Sequence, residues 1–308
     1  MSFSLEPFIH EVIVRKVNVL GIVVRQHNEV INSFFWNDCY VRRNNINSCT
    51  KSVTSLAVGM AVKEGILSID EKPSEIFADK MPDNPQQWWL DMTLRDTLMM
   101  GSGHGKCLLP RPQRDQYEDD DWVKTCLHTP LDYAPGTHFQ YNNMGPYFIS
   151  VIIQDRTGQT LQDWLEPRLF KPLGIKNAQW FRSPMHYTLG MGGLHLTTEE
   201  LSRVGQVCLD HGRWNDQQLV PEEYLAEATV PHIKGAFHNP PCPDFAAGYG
   251  YFFWMNDKVP GYRGFGNYGQ HMIVLPQYDA VVAVTSFDPD DQGILDAVWA
   301  GVLPQFEK

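Results

Sequence analysis

The 308-residue sequence contains no run of about 18 apolar residues, so nothing in it reads as a membrane-crossing helix. Positive charge is scarce as well. Against 25 lysines and arginines stand 36 aspartates and glutamates, a formal charge of -11, whereas a nucleic-acid surface needs a basic face. The six cysteines (Cys39, Cys49, Cys107, Cys126, Cys208 and Cys242) never fall in Cys-x-x-Cys spacing, and the eleven histidines never in His-Glu-x-x-His. The common zinc motifs are thereby removed, and reduced thiols are the expectation. The acidic run Glu118-Asp119-Asp120-Asp121 lacks the alternating ligands and glycine of a calcium loop and reads as the solvated start of a helix at Trp122. Internal repeats and low-complexity linkers are absent too. Met1 to Pro7 offers neither the cationic nor the apolar part of a secretion signal, so a cytoplasmic protein is expected.

What is present is chemistry at particular spacings. Ser48 and Lys51 lie three residues apart where a helical pattern, Cys49 to Glu64, begins; Val53, Leu56, Ala57, Met60 and Ala61 recur along it at helical intervals. Positions i and i+3 share a helix face, so the lysine amine can reach the serine hydroxyl and act as its base. An N-cap serine beside a surface lysine has the same spacing. Cys49 points about 100° away from Ser48 and is expected to be a buried structural thiol.

Tyr141-Asn142-Asn143, the only Tyr-x-Asn in the chain, follows the turn-forming Ala134-Pro135-Gly136-Thr137 and precedes an apolar helical pattern from Tyr147. A phenol beside an ammonium ionises more readily and can relay a proton, while an asparagine amide can orient the lysine and a substrate carbonyl. A loop tyrosine followed by a helix-capping asparagine fits the same residues. Gly264-Phe265-Gly266-Asn267-Tyr268-Gly269-Gln270 then leads into strand-like runs at Met272 to Leu275 and Ala280 to Val284. Glycines there permit close approach of a ligand or another backbone, or mark a bulge. His104, beside Gly103, is a further candidate for a cleft. Gly101-Ser102-Gly103 lacks the outer glycines of a nucleophile elbow, since Met100 and His104 flank it.

In the order serine-lysine pair, tyrosine-asparagine pair, glycine-rich strand, the chain resembles the serine β-lactamase and penicillin-binding-protein superfamily. Class C β-lactamases, DD-peptidases, D-aminopeptidases, family VIII esterases and 6-aminohexanoate-dimer hydrolase are the nearest comparisons, the last through Gly266-Asn267-Tyr268-Gly269-Gln270. Connecting segments at Leu20 to Arg25, Lys63 to Asp70, Leu94 to His104, Pro172 to Ile175 and Gly192 to Thr198 extend the resemblance over most of the chain. It implies an α/β fold of the α+β type, with an antiparallel sheet built from both termini and flanked by helices. Residues 1–66 and 186–308 would form the sheet subdomain, 67–185 a mostly helical inserted subdomain, and catalysis would sit in the cleft between them. The patterns read the same way: a helix within Pro7 to Val17, a hairpin of Val19 to Arg25 and Val30 to Trp36, a strand at Gly250 to Asn256, and a final helix at Gly293 to Leu303.

The resemblance further implies a serine hydrolase working through an acyl-enzyme on a small ester or amide, without metal or organic cofactor. Ser48 would be the nucleophile, with Lys51 and Tyr141 as bases. The backbone N–H groups of Ser48 and Asn267, beside Gly266, would stabilise the oxyanion, and Asn143 would hold the acyl carbonyl. For this role the lysine pKa must fall from about 10.4 to about 7 or 8 through burial. Many family members carry Lys-Thr-Gly or His-x-Gly where this chain has Gly264-Phe265-Gly266, which offers neither cation nor hydroxyl. Neutral esters and amides are therefore expected to outperform β-lactams, unless another cation such as Arg263 reaches the cleft. A β-lactamase or DD-peptidase, and a non-catalytic scaffold, remain as alternatives.

Overall fold

The computed structural model describes residues 3–111, 117–234 and 243–307. Cys242 lies outside the described residues; Cys39, Cys49, Cys126 and Cys208 are buried free thiols. Six antiparallel strands form the main sheet: β1 (Val19–Gln26), β2 (Glu29–Phe35), β3 (Trp254–Met255), β4 (Tyr262–Gly266), β5 (Gln270–Leu275) and β6 (Ala280–Ser286). Their order is β2-β1-β6-β5-β4-β3, so the N-terminal hairpin pairs with the last strand, Val24 opposite Val282. The β1–β2 turn holds His27 and Asn28 in left-handed backbone (φ 52° and 63°), the geometry that matches strand twist in a two-residue hairpin.

Period-two alternation sorts the sheet's side chains into two cores. Ile22, Val24, Ile273, Val282 and Val284 pack with Phe8 and Val12 of helix α1 (Glu6–Arg15) and with Ile294 and Val298 of helix α5 (Asp291–Gly301). Met272, Val274, Val281 and Ala283 belong instead to the core that contains α2 (Thr50–Lys63), α3 (Met144–Thr157) and α4 (Thr198–Leu209). Between the two sheet-forming ends the chain is mostly helical, as the resemblance implied for this mixed α and β fold. Asp121 caps the helix Trp122–Leu127, accepting from Val123 and Lys124 N–H at 3.1 Å each. No helix among the described residues is long and apolar enough to cross a membrane.

Every residue of helix α2 from Thr50 to Ala61 is buried. Three of its polar side chains are partnered inside the protein: Ser52 Oγ donates to Phe252 O (2.9 Å), Thr54 Oγ1 to Gly190 O (2.7 Å), and Ser55 meets the Tyr224 hydroxyl at 3.0 Å. The strand expected over Gly250 to Asn256 shrinks to β3, because Phe252 is left-handed (φ 64°) and Gly250 N–H donates back to Phe253 O. The run of aromatics there fills the core from a turn.

Candidate active site

Ser48 lies half-buried in a 3-10 turn, Asn47–Cys49, that runs directly into α2; the α-helix itself begins at Thr50. Asn47 enters this turn in left-handed backbone (φ 48°), which asparagine tolerates better than most residues. The end of β4 rests on the turn. A Cβ added to Gly266 would stand 2.2 Å from Ile46 O and 3.0 Å from Ser48 N, so only glycine permits the approach. Cys49 turns inward as expected, fully buried, with burial pushing its thiol well up from the ordinary value.

Lys51 is 1% exposed. Its Nζ lies 2.9 Å from Ser48 Oγ, donates to Met191 O at 2.9 Å, and stands 4.7 Å from the centre of the Tyr141 ring. Tyr141 is stacked on Trp254 (5.7 Å between centroids, 15° between planes) and hydrogen-bonds with Ser48. Burial pushes its phenol well above the ordinary value, and the bond with Ser48 offsets only part of that. Burial thus works against the ready ionisation expected of this tyrosine and favours its neutral form.

Asn143 lines the cleft and donates from Nδ2 to Leu109 O (3.0 Å), while Asn142 Oδ1 accepts from the N–H groups of Leu108 and Met144 at 3.1 Å each. Asn267, exposed at the rim, accepts at its carbonyl from Asn47 Nδ2 (2.8 Å). The cleft, about 920 Å³ in volume, is lined in common by Ser48, Tyr141, Asn143 and Asn267. Lys51 lies behind Ser48, in contact with its hydroxyl, and Gly266 packs against the turn that carries Ser48.

His104 is elsewhere. It is fully buried, edge-on to Trp89 (5.4 Å), with Nδ1 3.0 Å from Ser102 Oγ, and burial lowers its pKa to about 4. Arg263 does not reach the cleft either: it is fully buried and donates to Met255 O and Asp244 O, both at 2.6 Å. Gly264 faces α2, where an added Cβ would meet Cys49 Sγ and Ser52 Oγ at 2.8 Å, and Phe265 packs on Phe245. The third motif thus contributes no cation. Arg111 and Arg182, from other segments, do line the cleft, so cations other than the suggested Arg263 stand there. No motif announced either arginine, since chain folding alone brings them there. Asn47 was missed as well, although an asparagine next to Ser48 was a visible sign of an unusual turn.

The Beta-lactamase family model matches residues 43–299. A lovastatin esterase of Penicillium rubens is 28% identical over 157 residues, 44% of this chain and 38% of the esterase. A D-aminopeptidase of Gluconobacter oxydans is 30% identical over 124 residues, 37% of this chain and 23% of the peptidase, so each match spans less than half of the relative. Among solved structures, a candidate 6-aminohexanoate-dimer hydrolase from Bacillus anthracis superposes with a TM-score of 0.78 at 16% identity, covering 96% of this chain and 80% of that one. An octameric penicillin-binding protein homologue from Pyrococcus abyssi gives 0.74 at 18% identity, covering 96% and 76%. These two likenesses establish the fold. Because the family model spans all three motifs, from the Ser48 turn through Tyr141 to the β4–β5 hairpin, the chain belongs to the beta-lactamase family.

Proposed function

We propose that this chain is a serine hydrolase that forms an acyl-enzyme with a small ester or amide. The observation that carries the reading is the meeting of three groups on one hydroxyl: Ser48 Oγ, the buried Lys51 amine 2.9 Å from it, and the Tyr141 phenol bonded to it. An ammonium held away from water is disfavoured relative to the amine, which frees a lone pair for the serine proton. Oγ then bonds to the substrate carbonyl carbon, and the oxyanion is held by the N–H groups of Ser48 and Asn267. Removing one such donor typically costs about 3 kcal/mol of barrier. Collapse expels an alkoxide or amine, which takes its proton through Tyr141. Water then repeats the sequence on the acyl-enzyme, with Lys51 as base.

The esterase and aminopeptidase among the relatives support an ester or amide as substrate. A β-lactamase or penicillin-target reading gains support from Arg111 and Arg182, which could meet a substrate carboxylate. The test compares the wild type with Ser48→Ala using a fluorophosphonate, p-nitrophenyl esters, D-amino-acid amides, nitrocefin and a fluorescent penicillin. Wild type should label with the fluorophosphonate and turn over an ester or amide. Ser48→Ala should do neither while losing at most about 1 kcal/mol of stability. Substantial hydrolysis by the variant ends the nucleophile assignment. A persistent penicillin adduct would identify a penicillin target, and silence toward every probe a scaffold.

A further inference from the structure

The hairpin between β4 and β5 carries Asn267, whose N–H is assigned above to the oxyanion. Its next two residues, Tyr268 and Gly269, are both left-handed (φ 65° and 73°). For a tyrosine that conformation costs roughly 1–2 kcal/mol, so the turn persists only where its surroundings dictate it. Three side chains do so. Asn47 Nδ2 donates to Asn267 O (2.8 Å), and Gln270 Nε2 donates to Tyr268 O (2.9 Å) and Ser286 O (2.6 Å). Asp291 accepts the Gly269 N–H at 2.6 Å and also the Tyr268 N–H. The turn lies directly on α5, since a Cβ at Gly269 would stand 2.2 Å from Ile294 Cδ1.

We propose that Asp291, in the first turn of α5, is a positioning residue whose carboxylate fixes the Asn267–Gly269 turn and so keeps the Asn267 N–H aimed at the oxyanion. This rests on the reading of Ser48 as nucleophile. A carboxylate accepting two backbone N–H groups makes charge-assisted bonds, stiffer than those of a neutral acceptor. Its surroundings do not favour the charge. Burial raises the Asp291 carboxyl to about 6 despite the two bonds, and the nearby Asp288 and Asp290 add to the rise. The His271 ring, which lies against the Asp291 backbone, is itself neutral through burial. A charge-assisted clamp on a turn that borders both Ser48 and the cleft is what a requirement for rigid donor geometry produces.

Asp291→Asn keeps the shape and one acceptor, while Asp291→Ala removes both bonds. On p-nitrophenyl butyrate we expect kcat to fall roughly tenfold or more in the alanine variant and less in the asparagine variant, with KM within about twofold of wild type. The melting temperature of Asp291→Asn at pH 8 should equal or exceed that of wild type. A residue that merely supported the fold would lower Tm in step with kcat. Wild-type kcat in both variants, or a loss of kcat that only tracks a loss of Tm, overturns the proposal while leaving Ser48 untouched. Failure of the wild type to label at Ser48 with a fluorophosphonate would instead remove the nucleophile reading, and the positioning role with it.

Discussion

At the scale of single residues, Lys51 carries the sharpest demand. Its amine is enclosed by Ser48, the Met191 carbonyl and the Tyr141 ring, with 1% of its surface exposed. Arginine would keep a positive charge but cannot give up a proton at any working pH, and its planar fork does not fit the space of an ammonium. Lys51→Arg is therefore expected to lose at least ~100-fold in kcat/KM, the usual weight of a positioned base. An active Lys51→Arg enzyme, measured on the same ester as the wild type, would exclude the lysine as base. Ser48, Lys51 and Tyr141 were legible in the sequence because their relation is short-range: a helical spacing, or a distinctive pair after a turn. The cleft positions of Arg111 and Arg182 and the burial of His104 were not. Whether a side chain ends in a cleft or under Trp89 depends on segments distant in the chain, which spacing does not encode.

At the scale of elements, the β4 strand and the Asn47–Cys49 turn meet backbone to backbone. A methyl group at Gly266 would collide with Ile46 O at 2.2 Å and crowd the amides of Ser48 and Cys49, atoms that cannot swing aside. Gly266→Ala should then push β4 off the turn, costing about 1–3 kcal/mol of stability as overpacking does. Moving the Asn267 donor should lower activity by about 100-fold, the weight of one oxyanion donor. Thermal melts and ester kinetics on the one variant check both, and a wild-type rate would show that the contact is not as close as the glycine implies. Strands β1, β5 and β6 could be read as short continuous apolar runs because each is buried on both faces. The segment at Gly250 to Asn256 could not, since aromatic content imitates a strand while Phe252 turns the chain.

At the scale of the whole molecule, the pairing of β1 with β6 joins the two ends of the chain in one sheet with a core on each face. Two histidines report on that folded state. His104 and His271 are fully buried, and desolvation lowers their pKa values to about 4 and about 3. In the unfolded chain a histidine binds its proton near pH 6.5. The unfolded state therefore takes up protons that the folded state refuses, and the stability present above pH 6.5 is lost as the pH falls toward 4. Asp291 works in the opposite sense: raised from 3.8 to about 6, it costs stability at neutral pH and returns it as the carboxyl protonates below 6. Two depressed histidines outweigh one partly exposed acid. Unfolding in urea should accordingly show the protein about 2 kcal/mol less stable at pH 5 than at pH 7. The Asp291→Asn variant, without the compensating acid, should show a steeper loss over the same interval. Equal stability at the two pH values in the wild type would mean that one or both imidazoles reach water, and that the core around β5 is more open than its burial indicates.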